Sequence, residues 1–259
     1  MSDRADRLDR LLRDPEATLD RVLAVVASVE GDEGPTEETV VAAVDELADG
    51  CPTDDGPPGV LAHLFEHLGF AANRNDYYDP SNSLIHRVVE RRRGIPLSLA
   101  AVAAEVARRH SITLHPVGMP GHVLLGDGGA DCWYDPFAAG APVDLDGCRR
   151  ILAGLDPTAT LDPTMLAPMS NAAVAVRTLN NLRVAYASKG MADRLVPVME
   201  LRASLPSGTL ADRHELARLL AGLGRVEQAA SAFERLAELD PEQRSAHRAR
   251  ARALRARLN

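Results

Sequence analysis

His122 and Asp135 are the two residues of this sequence whose types and spacing could support catalysis. Both lie in residues 91–136, a stretch that reads as a helix followed by a β-hairpin. If Gly128 and Gly129 form a two-residue hairpin loop, His122 lies directly opposite Asp135, with their Cβ atoms about 5 Å apart. A histidine oriented by an aspartate supplies the general base of a catalytic triad. The chemistry then depends on whether a nucleophile accompanies them.

A purely structural role for the same two residues is the alternative. Asp-Pro commonly starts a turn, so Asp135 would cap the bend of the Asp-Pro-Phe stretch, and His122 would cap a turn. The pattern alone favours this structural interpretation, because a single His and Asp pair is weak evidence for a catalytic site.

The residues before the hairpin predict the helix that must position such a site. Gly94 is expected to end the helix NSLIHRVVERRR, and Pro96 fits the first turn of the next helix, which runs to about Arg109. This next helix has an apolar face and almost no charge in its first half. We therefore expect it to be buried on most sides.

The remainder of the chain predicts helices on both sides of this mixed segment. Asp14 and Pro15 are expected to start one N-terminal helix, and Thr36 to cap the next. The predicted domains are an N-terminal helical region at 1–59, a core at 60–160 and a C-terminal helical region at 170–259.

The C-terminal region contains a repeat with a period of 34 residues. Gly190 matches Gly224, and Met199 matches Phe233, each pair being 34 residues apart. This is the period of tetratricopeptide repeats, whose units are helical hairpins. The pattern predicts antiparallel helix pairs with the two glycines at the turns, and it favours a protein or peptide partner that binds through this region.

Composition and cysteine usage exclude several classes of function. The formal net charge of −8 argues against nucleic-acid binding, which needs a basic surface. No apolar run approaches membrane-spanning length, and the first residues lack the apolar segment of a signal peptide. Cys51, Cys132 and Cys148 follow no metal-ligand spacing. We therefore expect a cytoplasmic protein with no cofactor, no metal, no nucleic-acid partner and no membrane partner.

Several stretches, taken in order, resemble a known family. They are NDYYDPSNSLIHRVVERRRGIPLSL, GMPGHVLL, WYDPFAAG and RTLNNLRVAY, followed by the repeat helices. Over about residues 60–240 they resemble the bacterial SirB-type family, transglutaminase-like proteins with C-terminal tetratricopeptide repeats. The resemblance implies an α+β fold: N-terminal helices, a papain- or transglutaminase-like core with a buried helix on an antiparallel sheet, and C-terminal tetratricopeptide-like helices.

The same resemblance assigns candidate catalytic residues. In active transglutaminase-like enzymes a Cys begins the buried helix, because the helix N-terminus stabilises a thiolate and a His–Asp pair moves the proton. His122 and Asp135 fall at the family's His and Asp positions, but Pro96 stands at the Cys position. The nearest hydroxyl is that of Ser98, which at a helix start commonly satisfies backbone N–H groups instead. Cys132 is rejected, because strand alternation turns it away from Asp135.

Two further clusters offer weaker candidates. His63, Glu66 and His67 share one short helix, a spacing that superficially fits metal ligation, but their order matches no zinc-protease motif and a capped or surface helix is favoured. Tyr77 and Tyr78 lie on a loop before the core helices. They either line a cleft or pack against the core.

Two functions remain open on this evidence from sequence. One is a transglutaminase-like protein that lacks the usual Cys nucleophile and acts as a regulatory or protein-binding protein. The other is an atypical hydrolase or acyl transferase in which His122 and Asp135 work with Ser98 or with a bound water. The absent Cys favours the first, and retention of the His–Asp pair favours the second.

Overall fold

A computed structural model describes residues 3–129 and 132–257 of the chain. The chain forms two compact units: a sheet unit, Leu11–Asn181, and a helical unit made of Met1–Arg10 and Leu182–Asn259. The division into domains at 1–59, 60–160 and 170–259 stays a prediction.

The first helices follow the apolar spacing of the sequence. They are α1 (Asp3–Arg13), α2 (Leu19–Ala27), α3 (Glu37–Ala48) and α4 (Pro57–Ala62). Thr36 caps α3 as predicted, because its hydroxyl accepts a hydrogen bond from the N–H of Thr39 at 3.2 Å. The prediction that Asp14 and Pro15 start α2 is wrong. The helix begins at Leu19, whose N–H donates to the buried carboxylate of Glu105 at 2.9 Å.

Gly94 has a different role from the one predicted. Helix α5 (Ile85–Arg91) ends at Arg92, which adopts a left-handed φ of 52°, so Gly94 does not cap it. Gly94 instead ends the short strand β2 (Arg93–Gly94), which pairs in parallel with β1 (Ala71–Ala72). A Cβ at Gly94 would lie 2.6 Å from the Ser98 hydroxyl oxygen, so the glycine permits a close approach of chain segments.

The central helix of the sheet unit is α6 (Pro96–Arg109). Pro96 occupies its first turn, Arg108 and Arg109 its last, and every residue from Pro96 to Ala107 is buried. The helix packs against α2, α3, α4 and α5 and against the sheet. The predicted buried helix is therefore confirmed.

The sheet has four antiparallel strands in chain order. They are β3 (His115–Met119), β4 (His122–Gly126), β5 (Trp133–Asp135) and β6 (Ala141–Val143). Strands β3 and β4 contact α6, and the apolar cluster of Val117, Leu124 and Trp133 packs against Cys148 and Leu152 of helix α7 (Leu145–Leu155). The α+β class with an antiparallel sheet is confirmed.

The predicted loop at Gly128 and Gly129 is wrong. Strand β4 ends at Gly126 and β5 resumes at Trp133, and residues 130 and 131 of the connection lie outside the described residues. Leu125 pairs with Tyr134, a register two residues away from the predicted one. The two-residue hairpin loop lies instead between β3 and β4, where Gly121 takes a φ of 70°.

The C-terminal helices are connected by short turns. They are α8 (Asn171–Ser188), α9 (Ala192–Ser204), α10 (Leu210–Gly222), α11 (Val226–Leu239) and α12 (Arg244–Arg255). In the helical unit α9 packs on α10, α10 on α11 and α11 on α12. Gly190 and Gly224 lie at turns with φ of 66° and 71°, as predicted. The tetratricopeptide type of these helices stays a prediction. None of the helices in the described residues has the length and apolar character that a membrane crossing requires.

Candidate functional site

The side chains of His122 and Asp135 are in direct contact. Nε2 of His122 lies 3.0 Å from Oδ1 of Asp135, and both side chains are mostly buried. A carboxylate only accepts hydrogen bonds, so Nε2 of the imidazole carries the shared proton and Nδ1 of the neutral ring is left as an acceptor. The predicted contact is therefore confirmed, and the arrangement has the form of a base with its orienting group.

The contact survives the error in the predicted register for a geometric reason. Side chains alternate between the two faces of a sheet, so a shift of two residues keeps each side chain on its original face. In the observed register His122 and Asp135 are diagonal neighbours on one face rather than directly opposed residues. A shift of one residue would have separated them.

Asp135 also caps the turn that follows it, which was the alternative structural role predicted for this residue. Its Oδ1 accepts the N–H of Phe137 at 2.8 Å and so caps the 3₁₀ turn Pro136–Ala138. One carboxylate oxygen thus orients His122 and fixes the bend in the same place. The two interpretations of Asp135 are compatible.

Ser98 is occupied by backbone contacts at the start of α6. Its buried hydroxyl donates to the carbonyl oxygen of Asn82 at 2.6 Å and accepts the N–H of Ile95 at 3.1 Å. Among the described residues Ser98 has no hydrogen bond to His122. Its catalytic role stays a prediction, and these contacts favour the structural interpretation.

The hydrogen bond from Ser98 continues into the loop that carries the tyrosines. Asn82 is fully buried, and its side-chain amide donates to the carbonyl oxygens of Asp76 and Tyr77 at 2.8 and 3.2 Å. Ser98 therefore helps to position this loop through Asn82. Sequence reasoning did not single out Asn82, because an Asn before a helix usually indicates a local turn.

We expect Ser98→Ala to lower the free energy of unfolding by about 1–3 kcal/mol, because the buried N–H of Ile95 and carbonyl of Asn82 lose their partner. Chemical denaturation of both proteins measures this. Ser204→Ala is the control, because within the described part of the chain its hydroxyl bonds only to the carbonyl of Leu201 in its own helix. Unchanged stability of Ser98→Ala would contradict the structural role.

Two of the three cysteines are buried and have weakly acidic thiols. Burial raises the pKa of Cys51 and of Cys148 above the ordinary thiol value, and Cys132 is a half-buried residue just before β5. A raised pKa leaves less thiolate at neutral pH, and the thiolate is the nucleophile.

We therefore expect iodoacetamide at neutral pH to alkylate every cysteine no faster than a free thiol. Mass spectrometry of peptides from a time course measures each rate, and the urea-unfolded protein supplies the reference rate for each site. A single cysteine that reacts faster when folded than when unfolded would contradict this expectation.

An exposed aromatic surface adjoins the His–Asp pair. We call it the aromatic rim: Tyr77, Tyr78, Phe137 and the ring of His122. The ring centroid of Phe137 lies 6.5 Å from that of His122 and 6.1 Å from that of Tyr77, in edge-to-face geometry. Tyr77 is 41% exposed and Tyr78 is 54% exposed. The two tyrosines are therefore solvent-exposed, and a cleft lined by them stays a prediction.

Two arginines that sequence reasoning did not single out flank the rim. Arg177 on α8 donates to the carbonyl oxygens of Met119 and His122 at 3.1 and 2.9 Å and so clamps the β3–β4 turn. Arg74 donates to the carbonyl of Phe137 at 2.7 Å, with its guanidinium carbon 4.4 Å from the ring centroid. The sequence could have indicated Arg177, because Arg177 is the first residue of RTLNNLRVAY, one of the stretches that resemble the family.

The His63, Glu66 and His67 cluster does not converge. These residues form a π-helical turn in which His63 is buried and bonded to the carbonyl of Leu47 at 2.9 Å, whereas Glu66 and His67 are exposed. Within residues 3–129 and 132–257 no group of three His, Cys, Asp or Glu side chains is arranged to hold a metal ion.

Comparison with known proteins identifies a family. A family model described as the transglutaminase-like superfamily matches residues 38–180, more than half of the 259-residue chain. A UPF0162 protein of Xylella fastidiosa is 39% identical over 142 residues, which cover 52% of this chain and 50% of the relative. UPF0162 protein PA3419 of Pseudomonas aeruginosa is 32% identical over 197 residues, which cover 73% and 72% of the two chains.

A eukaryotic protein is similar to a shorter part of the chain. F-box only protein 21 of Homo sapiens is 34% identical over 108 residues, which cover 38% of this chain and 17% of that protein. The chain spans about half the length of the Xylella fastidiosa relatives that it matches. No solved structure matches this chain.

Proposed function

The chain belongs to the transglutaminase-like superfamily, and from this premise we propose that it is a non-enzymatic member that binds a protein or peptide partner in a regulatory role. The SirB-type assignment and the tetratricopeptide type of the helical unit are part of this proposal. The main support for the proposal is the exposed aromatic rim beside the His–Asp pair. In the described part of the chain, no nucleophile is hydrogen-bonded to that pair.

The chemistry of the rim supports partner binding. Tyrosine and arginine are enriched at the energetic centres of protein interfaces, because each combines a large contact area with polar groups. Tyr77 and Tyr78 are held on a loop that buried Asn82 fixes through two backbone carbonyls. A preorganised loop loses little conformational entropy when a partner binds.

The helical unit supplies a second proposed contact surface. A cavity of about 480 Å³ lies among its helices, lined by Glu200, Arg213, Leu216, Arg235, Leu236 and Leu239. The mixture of apolar and charged side chains fits a peptide segment of a partner. We place the protein in the cytoplasm, because Cys51, Cys132 and Cys148 are free thiols.

The direct test is an array of short random-sequence peptides probed with the whole protein. We expect a subset to bind, and Tyr78→Ala to weaken that subset at least about tenfold, which is the loss typical of an interface hot spot. Met191→Ala, which truncates an exposed apolar side chain of the helical unit, is the control. No binding peptide, or binding that Tyr78→Ala leaves unchanged, would overturn a binding role for the rim.

An atypical hydrolase or acyl transferase is the second candidate, because Nδ1 of His122 has no partner among the described residues and could accept a proton from water. If the non-enzymatic proposal holds, neither the wild type nor His122→Ala should turn over amide or ester substrates above the rate without protein. Turnover that disappears in His122→Ala would favour the enzyme. Ser98→Ala would then distinguish a serine nucleophile, whose loss abolishes turnover, from an activated water.

A further inference from the structure

We propose that the aromatic rim recognises a peptide carboxylate, with Arg177 and Arg74 as its ion-pair partners. The proposal rests on the proposed peptide-binding function and names the chemical class of the ligand. It commits to an acidic peptide as the occupant of the surface.

Arg177 supplies a guanidinium with unused donors next to His122. Two of its five N–H groups donate to the carbonyls of Met119 and His122, which holds the side chain in one place. The other three N–H groups have no hydrogen-bond partner among residues 3–129 and 132–257. Among the described residues it forms no ion pair with a carboxylate. Burial lowers the pKa of Arg177, and the charge interaction with Tyr77 opposes this shift, which is consistent with a cation that lacks an acidic neighbour.

Arg74 supplies a second cation on the other side of Phe137. Its guanidinium lies over the Phe137 ring and donates one hydrogen bond to the Phe137 carbonyl. Within the described residues its other four N–H groups have no partner. Arg74 is exposed and also forms no ion pair with a carboxylate among the described residues. Arg91 of the sheet unit differs, since it pairs with Asp79 at 2.9 Å.

Two acidic side chains near the rim already have partners of their own. Asp135 is engaged by His122 and by the N–H of Phe137, and Asp79 is engaged by Arg91. Two positioned guanidinium groups beside exposed tyrosines therefore match a carboxylate flanked by apolar or aromatic atoms.

The peptide array tests the ligand class separately from the binding role. Its peptides are compared in matched sets: internal Glu or Asp with an amidated C-terminus, the Gln or Asn counterpart, and that neutral counterpart with a free C-terminus. We expect the rim-dependent binders to be acidic, and Glu→Gln to weaken them about tenfold, as loss of a charge-assisted bond predicts. The free C-terminus arm shows whether a terminal carboxylate can replace a side chain.

Arginine variants then identify the partner groups. Arg74→Met removes a surface charge without a change to the core and should weaken acidic peptides about tenfold but neutral peptides little. Arg177→Lys keeps the charge and loses the fork of donors, so it should weaken acidic peptides by a smaller factor. Arg150→Met, at an exposed arginine of α7, is the control. High salt should weaken acidic peptides selectively.

The outcomes separate the two proposals. Binders that depend on Tyr78 but are neutral or basic would leave the binding role standing and overturn the carboxylate inference. An equal effect of Arg74→Met and Arg150→Met would also overturn it. An absence of binders that depend on Tyr78 would overturn the binding role itself, and the inference with it.

Discussion

Arg109→Met is expected to lower the free energy of unfolding by about 3–5 kcal/mol at neutral pH, because it leaves buried carboxylates without their cation. Arg109 at the end of α6 donates to Asp20, to Asp45 at 2.8 Å and to Glu105. Asp20 is fully buried and Glu105 is 3% exposed. Urea denaturation monitored by circular dichroism measures the loss.

The neighbouring arginine is the matched control for this prediction. Arg108 pairs with the same Glu105 at 2.9 Å, but its side chain is 47% exposed, so Arg108→Met should cost less than about 1 kcal/mol. Equal losses for the two variants would contradict the role assigned to the buried network.

The pH dependence of Arg109→Met gives a second check on the same network. Burial alone would raise the pKa of Asp20, but hydrogen bonds from Thr18 and Arg109 hold this pKa below the ordinary value of an Asp side chain. In the wild type, ionised Asp20 therefore stabilises the fold at pH values above the ordinary pKa. This stabilisation is lost as the pH falls through the lowered pKa. Without Arg109 the burial remains, and the pKa should rise. The destabilisation should therefore be smaller near pH 4 than at pH 7.

Gly94→Ala is expected to destabilise the sheet unit by about 3 kcal/mol, through crowding and through loss of the Ser98 contacts. The new Cβ would lie 2.6 Å from the Ser98 hydroxyl oxygen and 3.2 Å from Leu99 and Val88 carbon atoms. Displacement of Ser98 weakens its bond to Asn82 and so loosens the loop of the aromatic rim. Thermal denaturation and binding to the peptide array measure the two effects.

Gly154→Ala is the control for this substitution. A Cβ at Gly154, inside α7, meets no atom within 4 Å, so the alanine should be neutral or should stabilise by up to about 1 kcal/mol through helix propensity. A Gly94→Ala protein as stable as the wild type would show that Ser98 and its neighbours repack without cost.

The catalytic-type pair could be predicted from the sequence, although the loop that was used to predict it is wrong. Asp-Pro-Phe specifies a capped turn, and strand alternation places side chains two residues apart on one face. The contact between His122 and Asp135 therefore tolerated a register error of two residues. The observed register depends on which residues of β4 and β5 pair, and local turn signals did not determine that choice.

The sequence alone determined those features that arise from short-range physical chemistry. Thr36 caps a helix because its hydroxyl reaches an N–H three residues ahead, Pro96 begins α6 because its missing N–H is not needed there, and Gly190 and Gly224 permit left-handed turns. Each of these effects involves residues within one turn of the chain. These three signals therefore need no contact with distant residues.

Tertiary structure alone decided the features that join distant residues. The sequence predicted Gly94 as a helix cap, but a glycine is needed there because the side chains of Ser98, Leu99 and Val88 leave no room for a Cβ atom. The start of α2 at Leu19 depends on Glu105, which is 86 residues away in sequence. Arg177 reaches the carbonyl of His122 from α8, across 55 residues. Such contacts form only when the packing of α6, the sheet and α8 brings these groups together, and no local pattern encodes that packing.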